Sequence, residues 1–286
     1  MAARDLYRII SFENFISICM LKKDRYVNPI DVWEDTYEGF FLHKLDSEGG
    51  NKEIIHYLYN NLFDKNPYIT INNLAKLQRA RFSCYGQSWS KESDSDALWR
   101  IYSYDKTGIQ IISDGVRIQN MIRANKIDGL ITRIEKVDYK LDFTDFDSIG
   151  KVLHAGSKSD EPFFHKRAAF KHEREVRVMI QLTKHYLDYT YFTAGIMESQ
   201  YNKYKGIIDD EEAIFEGVKF AMNKNFKGFY TVFPKDIKMD IFDLSGYIKG
   251  VKVHPQAKKW YVDLVRDVCD KTEISFLGKS KLYLDI

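Results

Sequence analysis

Cysteine is scarce. Cys19, Cys84 and Cys269 are spread over 286 residues, with no close pair and an odd total. That excludes a disulfide framework and a cysteine-based zinc site, and it fits a reducing cytoplasm. Proline is scarce too: five residues, with no low-complexity tract, leave little room for a flexible linker. No apolar run reaches the roughly 18 residues of a membrane span. The opening MAARDLYRIISFENF lacks the apolar run of a signal peptide. A cytoplasmic protein with no membrane partner is therefore expected. Excess charge is also lacking. At a net +2, nothing global draws the chain to nucleic acid or lipid. There is no Gly-rich phosphate loop, no G-x-G-x-x-G, no H-E-x-x-H and no internal repeat. His154, His165 and His185 lack metal-ligand spacing, so no metal is expected.

Aromatics are abundant: 19 Tyr and 19 Phe bring the aromatic fraction to 15%, enough both to fill a core and to line a pocket for a planar ligand. Leu6–Ile10 alternates and reads as a strand, with Arg8 on the face of Leu6 and Ile10. Ser11 caps a helix running to about Lys22. Residues 25–38, with Asn28-Pro29 and acids around Trp33 and Tyr37, read as a loop, and Trp33 and Glu38 are expected beside the functional cleft. Residues 52–80 are helical in pattern, and Ala80–Gly86 reads as a strand followed by a polar loop, Gln87–Asp96.

A helix carrying Leu98, Trp99 and Tyr102 comes next, then a strand Ile109–Ile112, a helix from Asp114 and a strand Leu130–Tyr139. After a loop over 140–160 and the stretch discussed below, a helix is expected over Asp209–Asn225 and another over Ala257–Asp270. Further strands are expected at Phe229–Phe233, Ile237–Phe242, Tyr247–Val253, Glu273–Phe276 and Lys281–Leu284. With no regular βαβ alternation the pattern predicts an α+β fold, one domain over 1–286 with an insertion at 186–235.

The most informative stretch is Phe163–Gln181, FFHKRAAFKHEREVRVMIQ. Its second half is a β-type run. Val176, Val178 and Ile180 share one face and read as core, while Glu173, Glu175, Arg177 and Gln181 share the other. Two carboxylates side by side repel unless cations or a substrate hold them. The two readings are a solvated edge strand with local charge pairs, and a carboxylate pair aimed into a cleft.

Several blocks recur together in order: Leu6-Tyr7-Arg8 with Phe12-Glu13-Asn14-Phe15, Asn28-Pro29 with Glu38, and Phe82-Ser83. Leu98-Trp99-x-x-Tyr102 with Gly108, Glu173-x-Glu175-x-Arg177 and Val251-x-Val253-x-Pro255 complete the set. Over nearly its whole length the chain resembles a widespread bacterial domain family of unknown function. More distantly, it is similar to ADP-ribosyltransferase toxins that use an Arg, a Ser or Thr and a Glu on three strands.

That resemblance implies an ADP-ribosyltransferase-like fold of mixed sheets with flanking helices. It implies an NAD-dependent ADP-ribosyltransferase or NAD glycohydrolase, a bacterial toxin or anti-phage effector, with NAD consumed as substrate. A protein or nucleic-acid acceptor and an antitoxin or defence-system partner are implied with it. Position by position it assigns Arg8 to the pyrophosphate, Ser83 to the ribose or carboxamide, and Glu175 to the catalytic carboxylate. Glu173 becomes the first acid of the pair, poised to orient or deprotonate the acceptor. Such enzymes often carry Ser-Thr-Ser where Ser83 here stands in Phe82-Ser83-Cys84. Tyr85, Trp99 and Tyr102 are the aromatic candidates for the nicotinamide, set against an ordinary core role. Two other readings remain open: a nucleic-acid-binding or processing defence protein, through Lys203 with Lys205, Lys258-Lys259 and Lys279 with Lys281, and an inactive ligand-sensing scaffold.

Overall fold

A computed structural model describes residues 4–283 apart from 34, 36, 46, 144, 146, 147, 149, 151, 153–158 and 222–233. The expected strand Phe229–Phe233 and part of the 140–160 loop lie outside the described residues. The fold is a mixed α and β architecture built on one open sheet, in agreement with the α+β expectation.

The strands are β1 (Asp5–Ile10), β2 (Lys23–Val27), β3 (Cys84–Ser90), β4 (Ile109–Asp114) and β5 (Leu130–Lys136). They continue with β6 (Glu175–Leu182), β7 (Asp236–Asp240), β8 (Gly250–Val253) and β9 (Phe276–Lys279). The main order is β5-β6-β3-β1-β4-β8-β9. All neighbours are antiparallel except β8 and β9. The sheet forks at β3. Its Ser90 end pairs with Tyr7 of β1, and its Gly86 end pairs with Val27 of β2, which carries β7.

Both faces of the sheet are covered. On one lies a core containing Leu6, Ile10, Trp89, Val176, Val178 and Ile180. It is closed by α1 (Phe12–Met20) and by the amphipathic helices Gly115–Ala124 and Lys259–Lys271. On the other, Cys84, Met179 and Phe163 pack against Glu48–Tyr57, Pro67–Ser83, Lys184–Tyr204 and Asp210–Ala221. Helices in the stretch expected to be an insertion thus share a core with the Pro67–Ser83 helix. No helix of the described residues is long and apolar enough to cross a membrane.

Caps explain most boundaries. Ser11 accepts from the Asn14 amide, Ser95 from Leu98, and Asp114 from Val116 and Arg117. Asn66 accepts from the Tyr68 and Ile69 amides, with Pro67 at the first helical position.

That last helix overturns one expectation. It runs through Ser83, and the strand starts only at Cys84 and continues to Ser90, through residues expected to form a loop. Tertiary pairing decides the matter, since Cys84–Ser90 registers residue for residue against Gln181–Glu175. Lys23–Val27, read as loop, is a strand for the same reason: β7 pairs along it. Near the end of the chain, Lys281–Tyr283 forms turns rather than the expected strand, and the final strand is Phe276–Lys279.

Candidate functional site

β6 lies in the interior of the sheet between β5 and β3, so its polar face is buried as well as its apolar one. Glu175 is registered against Ser90 of β3, and Ser90 also faces Tyr7 of β1. Alternation therefore places Tyr7, Ile9, Ser88, Ser90, Glu175 and Arg177 on one face. A pocket open to solvent sits there. The strand segments Tyr7–Ile9 and Ser88–Ser90 form its floor with Gln110, while Leu98, Tyr102, Glu92, Glu173 and Glu175 form its walls. The side-chain carbonyl of Gln110 is buried in that floor without a hydrogen-bond partner.

Behind the pocket lies a buried ionic cluster. Arg177, 0% exposed, donates from Nε to Glu175 Oε1 at 2.7 Å and from Nη2 to Glu175 Oε2 at 3.1 Å. Its Nη2 also lies 2.9 Å from Glu38 Oε2, and Nη1 donates to the Phe163 carbonyl. Lys166 Nζ reaches Glu173 at 2.8 Å, Glu38 at 3.0 Å and Glu175 at 3.4 Å. Three carboxylates, Glu38, Glu173 and Glu175, thus face two cations, Lys166 and Arg177. The cluster with all groups ionised is one negative charge in excess.

The groups divide that charge unequally. Burial alone would raise the Glu175 carboxyl, but Arg177, Lys166 and Ser88 outweigh it and bring it down to about 2. Glu175 is ionised at neutral pH. Burial pushes Glu38 up; Arg177 pulls against this, and the charge on Glu175 adds to the rise. Burial opposes the charge on Lys166, yet Glu175, Glu38 and Glu173 hold its pKa above the ordinary lysine range. Tyr102 is 49% exposed overall, but its phenol turns inward; burial, then the charge on Glu173, raises it.

The segment after β2 backs the cluster: Trp33 and Glu38, expected beside the cleft, pack against Arg177 behind the pocket and do not line it. Asn28 anchors the segment: its side chain accepts from the Ile30 amide and donates to the Arg81 carbonyl at 2.7 Å. The Arg177 guanidinium stacks 4.2 Å from the Trp33 ring centroid. Glycine makes the approach possible, because a Cβ on Gly86 would stand 3.0 Å from the Trp33 ring and 2.6 Å from Met179 Sδ. Asp35 pairs with Arg167 at 2.9 Å, fixing the loop to the residue after Lys166.

Of the expected site residues, Glu173, Glu175 and Tyr102 meet at the pocket. The side chains of four others point elsewhere. Arg8 alternates with Tyr7 and Ile9, so its side chain crosses to the opposite face of the sheet. There it donates to both Asp24 oxygens at 2.8 and 2.9 Å and stacks on Trp89 at 4.8 Å, tying β1 to β2 across the fork. Ser83 is fully buried in the last helical turn and accepts from Gln181 at 3.4 Å. From Cys84, the residue after it, to Ser90 is six steps along the strand, about 20 Å. Tyr85 belongs to the apolar core of the other face. Trp99 is 1% exposed and packs edge-on against His254 at 5.3 Å.

The serines that do reach the pocket are Ser88 and Ser90. Ser90 Oγ donates to the Glu173 carbonyl at 2.7 Å and accepts from the Glu92 amide at 2.9 Å. Their signal was the alternation of Ser88-Trp89-Ser90, with one large apolar residue between two small polar ones. Lys166 was missed as well, although the uncompensated Glu173/Glu175 pair required a nearby cation.

Comparison with known proteins gives no match: no family model, no curated protein and no solved structure aligns with this chain.

Proposed function

We propose that this pocket cleaves the nicotinamide–ribose bond of NAD and passes ADP-ribose to water or to a protein or nucleic-acid acceptor. The observation that carries the reading is the ionised, buried Glu175 at the wall of a pocket backed by three carboxylates and two cations. Nicotinamide in NAD is a cationic ring, and an acidic, partly desolvated pocket favours it over a neutral or anionic one. As the bond breaks, nicotinamide leaves as a neutral base and the positive charge moves to the ribose. A fixed carboxylate beneath that sugar stabilises it without reorganising. Arg177 and Lys166 hold Glu175 in place and ionised.

Glu173 is placed to accept the proton of the attacking water or acceptor hydroxyl. The half-exposed ring of Tyr102 offers a stacking surface, and Ser88, Ser90 and Gln110 offer hydrogen-bond partners on the floor. An ADP-ribosyltransferase-like fold, and a role as a toxin or anti-phage effector, belong to this proposal and rest on the resemblance of the motifs.

A second reading is favoured by a specific observation. Both Glu175 oxygens are already occupied by Arg177 and Lys166, and Arg8 faces away from the pocket. A scaffold that senses a cationic or neutral ligand without turning it over would look the same.

The test is nicotinamide release from NAD by wild type, Glu175→Gln and Glu173→Gln, assayed well below each melting midpoint. Loss of one preorganised charge costs about 3 kcal/mol of transition-state stabilisation, so Glu175→Gln should be slowed at least about a hundredfold. Equal rates in wild type and Glu175→Gln rule out this mechanism. An inert wild type that still binds NAD by calorimetry selects the sensing scaffold.

A further inference from the structure

Gln110 brings to the pocket floor an acceptor that no donor serves. The residue is 1% exposed, and its side-chain carbonyl has no hydrogen-bond partner among the described residues. A buried acceptor without a donor is costly, and native folds rarely keep one that neither ligand nor water completes.

The strand register shows why the protein does not complete it. Gln110 lies on β4 opposite Ile9 of β1 on one side and Lys252 of β8 on the other, and residues directly opposite share a face. Ile9 is apolar. Lys252 would be the natural donor, but its ammonium group is drawn to Asp94 at 3.1 Å. Ser90, also on the floor, already donates to the Glu173 carbonyl and accepts from the Glu92 amide. The helix Asp96–Tyr102 closes over this side of the pocket with Leu98 and Tyr102. Its end is drawn onto the start of β4: the Gly108 amide donates to Ser103 Oγ at 2.7 Å, and a Cβ on Gly108 would stand 2.5 Å from the Ser103 Cβ.

The pocket thus has acceptors on two sides. Glu173 and Glu175 stand on the β6 side and Gln110 on β4, with β3 and β1 between them. Carboxylates and an amide carbonyl accept hydrogen bonds, so the complementary ligand is a flat group with positive charge at one edge and N–H donors at another. The nicotinamide of NAD has this form: its ring nitrogen is cationic, and its carboxamide carries two N–H donors.

We propose that Gln110 is a specificity-determining residue of the pocket, its Oε1 accepting a hydrogen bond from the nicotinamide carboxamide while Glu175 faces the ribose. The proposal rests on the reading of this pocket as an NAD site and adds the group that recognises the amide. A site built to bond an N–H rejects the analogue that lacks it, because the buried acceptor is then stranded.

The experiment compares NAD with 3-acetylpyridine adenine dinucleotide, in which a methyl group replaces the amide nitrogen while the ring charge and phosphates are unchanged. Both are titrated by calorimetry into the full chain carrying Glu175→Gln, which slows turnover, with and without Gln110→Met. Nicotinamide release is followed separately in the wild type. Before the Gln110 change, NAD should bind about tenfold more tightly than the analogue. With Gln110→Met, affinity for NAD should fall about tenfold while that for the analogue stays within about twofold, so the preference disappears. Melting curves establish that each variant is folded. A preference abolished by Gln110→Met upholds the proposal even if nicotinamide is never released, and then the cleavage chemistry alone fails. Equal affinities at the start, a preference that survives Gln110→Met, or an equal loss of affinity for both dinucleotides overturns the assignment of Gln110 and leaves the NAD reading standing. No binding of either dinucleotide overturns both.

Discussion

Replacing Arg177 by methionine tests whether the ionic cluster is the structural keystone that its geometry implies. Methionine fills much of the same volume and keeps the contact with the Trp33 ring, but it removes the charge. Glu175 and Glu38 would then share Lys166 with Glu173, leaving three buried carboxylates on one ammonium. Breaking a buried pair by deleting one partner costs about 3–5 kcal/mol, because the other charge stays behind unpaired. A chain of this length loses about 2 °C of melting temperature per kcal/mol, so the midpoint should fall by about 6–10 °C at neutral pH.

The pH dependence gives a second check. In the wild type the folded value for Glu175, about 2, lies below the roughly 4.3 of an unfolded glutamate. Its stabilisation is therefore fully present above that unfolded value and is lost as pH falls toward 2. In Arg177→Met the carboxylates protonate more readily, and a neutral carboxyl no longer needs the cation. The gap between the two melting curves should narrow below about pH 4. Melting followed by circular dichroism from pH 3 to 8 measures both effects. A neutral-pH drop under about 2 °C, or a gap that widens in acid, would refute the assignment of Glu175 as the ionised partner of Arg177.

Two further predictions follow from burial. Arg8→Met strands Asp24 in the core, so it should lower stability by about 3–5 kcal/mol while leaving affinity for a nicotinamide-bearing ligand within about twofold of wild type; an intact fold with lost affinity would instead restore Arg8 to the pocket. Burial raises all three thiols, Cys19 and Cys269 to about 12 and Cys84 higher still, so a thiol reagent at pH 8 should label the native protein negligibly and the unfolded chain at all three positions.

What the sequence made legible was local. Helix starts were readable because the capping residues Ser11, Ser95 and Asp114 act within three residues of themselves. The apolar face of β6 was readable because Val176, Val178 and Ile180 alternate without interruption. The shift of β3 by four residues was not readable. Ala80-Arg81-Phe82-Ser83 alternates well enough for a strand, and Gln87–Ser90 is polar enough for a loop. Only pairing with β6, nearly 90 residues further along, decides the register. An edge strand with two polar faces slips by a residue at little cost. Here a slip would send Trp89 into the pocket and Ser90 into the core, so it is excluded.

The same shift explains why the site was half legible. The carboxylate pair was visible because Glu173-x-Glu175 is a local pattern, and its repulsion required cations. The cluster itself depended on three separate segments meeting: the cation Arg177 on the strand, the cation Lys166 before it, and a third carboxylate, Glu38, from a segment more than a hundred residues earlier. Arg8 illustrates the opposite error. Its face was read correctly, with Leu6 and Ile10, but that face is the core side. An arginine there needed a buried partner, which the neighbouring strand supplies in Asp24. Strand parity therefore sets a firm condition on any mechanism for this chain. No strand residue on the Glu175 face of β1, β3 or β6 supplies a free cation for the anionic part of a ligand, because the cation the described residues place there, Arg177, is already bound by Glu175 and Glu38.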